Sequence, residues 1–133
     1  MDRIIFLFSG LFIWTSCDPM RRINMKNRTG GPAEITWMIK ADSINASPFF
    51  ISSSKDVTFQ LPHSGPAHDI RMSFGVGTWT KNAVNNLVDD LDSLVIRWNN
   101  REIRLGAPEE IRDYLMPRRK GVGKDKIEIL LKD

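Results

Sequence analysis

A single cysteine in 133 residues excludes an intramolecular disulfide, and two histidines leave little material for metal ligation or acid–base work. No apolar run approaches the roughly 20 residues that a helix needs to cross ~30 Å of hydrocarbon. Charge of one sign is also missing: 19 Lys and Arg stand against 16 Asp and Glu, a formal net charge of +3. That is far from the concentrated positive face of a nucleic-acid binder, so no nucleic-acid partner is expected. Internal repeats and low-complexity tracts are absent as well. What remains is an ordinary globular composition, 41% hydrophobic and 26% charged, at a length that suits one domain.

The apolar residues are unevenly spread. Met1-Asp2-Arg3 is followed by an almost unbroken run from Ile4 to Trp14, then by the small residues Thr15 and Ser16. Too short for a span, this pattern suits the h-region of a signal peptide over residues 1–16. Residues 17–22 are expected as a tether, and residues 23–133 as one β-rich globular domain. Trp14-Thr15-Ser16-Cys17 resembles the lipobox of bacterial lipoproteins in its loose Bacteroidetes form, with Trp14 where leucine is usual. The resemblance implies cleavage before Cys17 and attachment of lipid to that cysteine. It also implies residence at the inner or outer membrane of the envelope, facing the periplasm. Two or three acyl chains give stable anchoring where one does not.

From Ile23 onward, hydrophobicity alternates with period two, the pattern of half-buried strands. Ile23 and Met25 form one such stretch, and Ile35, Trp37 and Ile39 another. With Thr29-Gly30-Gly31-Pro32 between them, they are expected to pair as a hairpin. Phe49-Phe50-Ile51 is a short strand or an apolar plug. Val57, Phe59 and Leu61, then Ile70, Met72 and Phe74, continue the alternation around a Pro- and Gly-rich loop.

The period then changes. Ala83, Val84, Leu87, Val88 and Leu91 line one face of a helix expected from Thr80 to Leu91. After it, Asn99-Asn100 separates two alternating segments. A two-residue primed turn there opposes Ile96 to Ile103, Leu94 to Leu105 and Arg97 to Glu102. Pro108, Glu109 and Glu110 open a second short helix, which Pro117 closes. A basic loop from Arg118 to Lys124 leads to a last strand with Ile127, Ile129 and Leu131. The fold class is α+β, mostly β: an antiparallel sheet or sandwich of about six to eight strands with two short helices.

Few residues carry chemistry. Lys120-Gly121-Val122-Gly123-Lys124 has the look of a phosphate loop. The positions for the distal glycine and for the Mg²⁺-binding hydroxyl hold Arg118 and Asp125, so the motif fails. The cations Arg118, Arg119, Lys120, Lys124 and Lys126 serve solubility or an anionic surface. His63 and His68 share a loop, and Asp69 is the nearest further ligand; no metal and no cofactor are expected. Ser52, Ser53, Ser54 and Ser64 are the serines available for a nucleophile–base pair, and none sits in a strand–turn–helix elbow. Asp89, Asp90 and Asp92 read as the wet face of a helix. Trp37, Trp79 and Trp98 read as core or interface residues. Exposure of Trp37 together with Trp98 would mark a carbohydrate or protein contact, and Arg101 is placed to stack on Trp98. Asp42-Ser43-Ile44 and Asp92-Ser93-Leu94 resemble the O-glycosylation tripeptides of exported Bacteroidetes proteins, Ser43 being the better acceptor because it lies in a polar loop.

Taken whole, the chain resembles small lipoproteins of the Bacteroidetes. The resemblance rests on Ser16-Cys17, the stretch INMKNRTGGPAEITWMI, FGVGTW, the helix NAVNNLVDDLDSLVI and the Arg-rich tail. That group supplies no activity to carry over, and no catalytic residue is expected. The leading expectation is a non-enzymatic interaction module, held to a membrane through lipid on Cys17, with an envelope protein as partner. The alternatives are an inhibitor or immunity-type protein against a periplasmic toxin, and a hydrolase built around His63 or His68.

Overall fold

The computed structural model describes residues 18–40, 56–63 and 68–133. Cys17, Ser43, the stretch 49–51, the serines 52–54 and Ser64 lie outside the described residues. Eight strands and two helices follow in the order β1 (Met20–Arg28), β2 (Ala33–Ile39), β3 (Asp56–Leu61), β4 (Ile70–Val76), α1 (Lys81–Asp89), β5 (Leu91–Trp98), β6 (Arg101–Leu105), α2 (Pro108–Leu115), β7 (Arg119–Lys120) and β8 (Lys126–Lys132) among the described residues. The fold is α+β and mostly β. Its strands form two four-stranded sheets, β4-β1-β8-β7 and β3-β2-β5-β6.

One expected hairpin is absent. β1 and β2 do not pair: β1 lies between β4 and β8, whereas β2 lies between β3 and β5. Alternation shows which face of a strand is buried and is silent about its neighbour. The segment Thr29-Gly30-Gly31-Pro32 carries the chain from one sheet to the other. Asn27 holds that crossing in place. Its Nδ2 donates to the carbonyls of Gly31 (2.9 Å) and Leu61 (2.7 Å). Its Oδ1 accepts from the Thr29 N–H (3.0 Å) and the Thr29 hydroxyl (2.6 Å). All the polar capacity of a side chain only 2% exposed is therefore met.

The first sheet is mixed. β1 runs antiparallel to β4 and parallel to β8, with Ile23 opposite Ile127 and Met25 opposite Ile129. β1 also begins at Met20, inside the stretch expected as a tether. Met20 pairs with Val76, and the Arg22 N–H donates to the Asp125 carbonyl at 3.0 Å. The second sheet is antiparallel throughout. Its β5–β6 hairpin has the expected register, with Asn99 and Asn100 at φ 46° and 58°.

Both helices close the same core. Thr80 caps α1, its hydroxyl accepting from the Ala83 N–H at 3.1 Å, and Ala83, Val84, Leu87 and Val88 point inward. The helix ends at Asp89, so Leu91, expected on its apolar face, opens β5 instead. Ile111 and Leu115 of α2 join Ile23, Met25, Trp37, Leu94, Ile96, Ile127 and Ile129 in one buried cluster fed by both sheets. Arg112 of α2 donates to the Asn85 side chain of α1, tying the helices together at their surface.

Candidate functional site

The pleat sorts the β3-β2-β5-β6 sheet into two chemically opposite faces. On the inner face, one cross-strand row reads Phe59, Ile35, Ile96, Ile103, and another reads Val57, Trp37, Leu94, Leu105. On the outer face the row next to the β5–β6 turn reads Gln60, Glu34, Arg97, Glu102, one residue from each strand in register.

That outer row is a continuous chain of polar contacts. Gln60 Nε2 donates to Glu34 Oε2 at 2.9 Å, and the Arg97 guanidinium reaches Glu34 Oε1 at 3.3 Å and Glu102 Oε2 at 3.0 Å. Arg104 closes the other Glu102 oxygen at 2.9 Å. These hydrogen bonds, that from Arg97 foremost, hold the Glu102 carboxyl below the usual carboxylate range; Glu102 in turn raises the Arg97 guanidinium. In the next row Thr36 and Thr58 share a hydrogen bond at 3.0 Å. Beside them Val95 is buried on this outer face, apart from the main core cluster.

The row borders an open groove of about 570 Å³, lined among others by Pro32, Glu34, Arg97, Trp98, Asn100 and Arg101. Its floor is the end of the sheet and its lip is the Asn99-Asn100 turn. Asp133 braces that turn, since its carboxylate accepts from the Asn99 amide and from the Gly30 N–H (2.9 Å). The groove thus offers carboxylate, guanidinium, amide and indole side by side. Such a mixture suits a polar partner surface, with hydrogen bonds on a few fixed groups and an aromatic residue among them. Both groove carboxylates are occupied by arginine or amide donors.

Several sequence-predicted candidates go elsewhere. His63 and His68 are both exposed, and the candidate serines Ser52, Ser53, Ser54 and Ser64 lie outside the described residues. Asp69, the third potential metal ligand, is engaged by Arg28 in a bidentate pair (2.8 and 2.9 Å), and that guanidinium lowers its pKa. Trp37 is fully buried and Trp98 half-buried, so the pair marks no shared contact surface. Cations lie over other rings than the one expected: Arg21 over Trp79 at 5.6 Å and Arg118 over Tyr114 at 3.5 Å.

The basic run is divided. Arg118 donates to the Tyr114 carbonyl, and Arg119 to those of Met116 (3.0 Å) and Trp79 (3.1 Å), so both serve the fold. Lys120 and Lys124 face solvent. The glycines between them form the turn joining β7 to β8, a strand–turn–strand setting unlike a phosphate loop.

Of the groove, the sequence made legible only the Arg97–Glu102 pair and the Asn-Asn turn. Glu34 and Gln60 come from strands whose neighbours no local pattern names. Comparison of the chain with protein-family models, with curated proteins and with solved structures gives no match.

Proposed function

We propose that this chain is a non-enzymatic, lipid-anchored envelope protein that binds another envelope protein through the outer face of the β3-β2-β5-β6 sheet and its terminal groove. The observation that carries the reading is the row Gln60–Glu34–Arg97–Glu102. It spans all four strands and faces solvent, and its charges are already aligned by one another. Charges fixed in this way select a complementary partner and repel others, which is specificity more than raw affinity. Anchoring through Cys17 rests on the lipobox resemblance and the apolar run before it.

A photo-crosslinking residue at Thr58, exposed on this face, tests the binding surface in cells. One at Arg71, exposed on the other sheet, is the control. The expected result is a discrete adduct with one envelope protein from position 58 that Arg97→Glu abolishes. Equal adducts from both positions, or none from either, would sink the reading. Incorporation of radioactive fatty acid into the wild type and not into Cys17→Ala tests the anchor separately.

An inhibitor of an incoming toxin is the second form of the same reading. It is favoured by the pre-tied side chains, because a face that needs no reordering loses less entropy on docking. Deletion of the gene with unchanged toxin sensitivity removes that form.

A further inference from the structure

At the end of the molecule away from the groove, three large apolar side chains stand in solvent: Met20 at 42%, Val76 at 59% and Val122 at 95% exposure. Backbone pairing places them at one end of the molecule. Met20 pairs with Val76 across β1 and β4. The residue after Val76, Gly77, donates to the Pro19 carbonyl at 2.7 Å. Trp79 then donates to the Lys124 carbonyl at 2.8 Å, which sets the β7–β8 turn and its tip, Val122, alongside.

The tip is built to project. Gly121, Gly123 and Lys124 all take positive φ (89°, 69° and 61°), and the Lys124 N–H closes the turn on the Gly121 carbonyl at 3.1 Å. A turn so braced presents Val122 outward, almost fully exposed. Lys120 and Lys124 flank it, Lys124 free of ion pairs among the described residues and Lys120 only loosely beside Glu128 at 4.0 Å. Asp125 has one carboxylate oxygen shut away from solvent and Glu128 is half-buried, whereas Asp18 is exposed.

This is also the end from which the chain leads back to residue 17. Because Pro19 is already bonded to Gly77, one residue separates the fold from Cys17. Two Cα–Cα steps then span at most about 7 Å.

We propose that Met20, Val76 and Val122, with Lys120 and Lys124, form a lipid-facing edge that rests on the anionic surface of a bilayer. Apolar side chains that enter the interface leave water, while lysines beside them gain from anionic headgroups. The inference rests on the anchoring proposed for Cys17 and extends it: the lipid would fix the distance, and the edge would fix the orientation. With this edge on the membrane, the groove faces away from it along the length of β1, nine residues or about 30 Å.

The test uses the full chain reconstituted into vesicles that carry brominated acyl chains. A V122W variant places a quenchable ring at the tip, and the wild type supplies the background of the other tryptophans. In vesicles containing phosphatidylglycerol, V122W fluorescence is expected to be quenched beyond the wild type. In purely zwitterionic vesicles, or with K120Q/K124Q added, the docked-to-undocked ratio should fall at least about fivefold. Quenching no greater than the wild type overturns the proposal. So does a blue shift that grows with surface density without quenching, which would assign the edge to a second copy of the chain. Fatty-acid labelling separates the two readings. Label on Cys17 with V122W unquenched removes the edge and leaves the anchor; quenching without label supports the edge and removes the lipoprotein reading.

Discussion

The side-chain amide of Asn27, in β1, donates to the backbone carbonyl of Leu61, the last residue of β3, at 2.7 Å and out of reach of solvent. The bond joins the two sheets through one buried side chain. Replacing Asn27 by leucine leaves the Leu61 and Gly31 carbonyls and the Thr29 N–H without this partner. A buried polar group left unmade costs about 1–3 kcal/mol. Asn27→Leu should therefore destabilise by about 3 kcal/mol in urea unfolding, with the slope unchanged. A loss below about 0.5 kcal/mol would show that the crossing holds without it.

Trp79 performs a comparable task at the opposite end. It is 2% exposed, meets Phe74 edge-on at 5.2 Å and donates from Nε1 to the Arg22 carbonyl at 2.9 Å. Trp79→Ala should cost about 3–5 kcal/mol through the cavity it opens. Trp79→Phe keeps a ring beside Phe74 and should lose about 1–2 kcal/mol, mostly from the missing hydrogen bond. Similar losses for the two variants would shift the weight from ring packing to that bond.

The Asn99-Asn100 turn gives a third prediction. Both residues sit in the left-handed region, where a Cβ meets the following carbonyl and most residues lose roughly 1–2 kcal/mol. Asn100→Ala should lower stability by about 1 kcal/mol, and Asn100→Gly should leave it equal or slightly higher. Thermal melts of the three proteins check the order. An alanine variant as stable as the wild type would mean the turn has another conformation in solution.

Acid should weaken the fold in a defined direction. Arg28 lowers the pKa of Asp69, and Arg97 with Arg104 lowers that of Glu102. A group whose folded pKa lies below its unfolded one contributes stability above the unfolded value and loses it as pH falls through the folded value. Melting temperature should therefore be level near neutrality and decline as pH drops through and below the ordinary carboxylate range. In Asp69→Asn/Glu102→Gln the acid limb should flatten, the neutral-pH value being lower from the start. An acid limb unchanged in the double variant would assign it to other carboxylates.

How far the sequence foretold the fold depends on the distance over which each element is decided. The β5–β6 hairpin is decided by adjacent residues, and every pair from Leu94–Leu105 to Arg97–Glu102 was readable in advance. The α1 face was readable for the same reason, except at Leu91, where helix passes directly into strand. β1 and β2 were each visible as strands, yet their separation into different sheets was not. The glycines and proline between them serve a hairpin or a crossing equally well, and the deciding partner is Leu61. The candidate groove shows the same limit, since Glu34 and Gln60 meet Arg97 only through sheet register. Arg118 and Arg119 looked like part of a basic patch because they adjoin Lys120 in sequence, while their guanidinium groups turn onto carbonyls of the fold.

The parallel pairing of β1 with β8 has a consequence for the order of assembly. Ile23 sits beside Ile127, so β1 waits for a partner about a hundred residues further along the chain. β8 also lies inside its sheet, between β1 and β7, and cannot be added as an optional flank. Contacts so distant along the chain close late and slowly. When only the first hundred residues have been synthesised, this sheet has β4 and β1 but neither β8 nor β7. The inner partner of β1 is therefore missing until β8 is made, and the sheet cannot close before then.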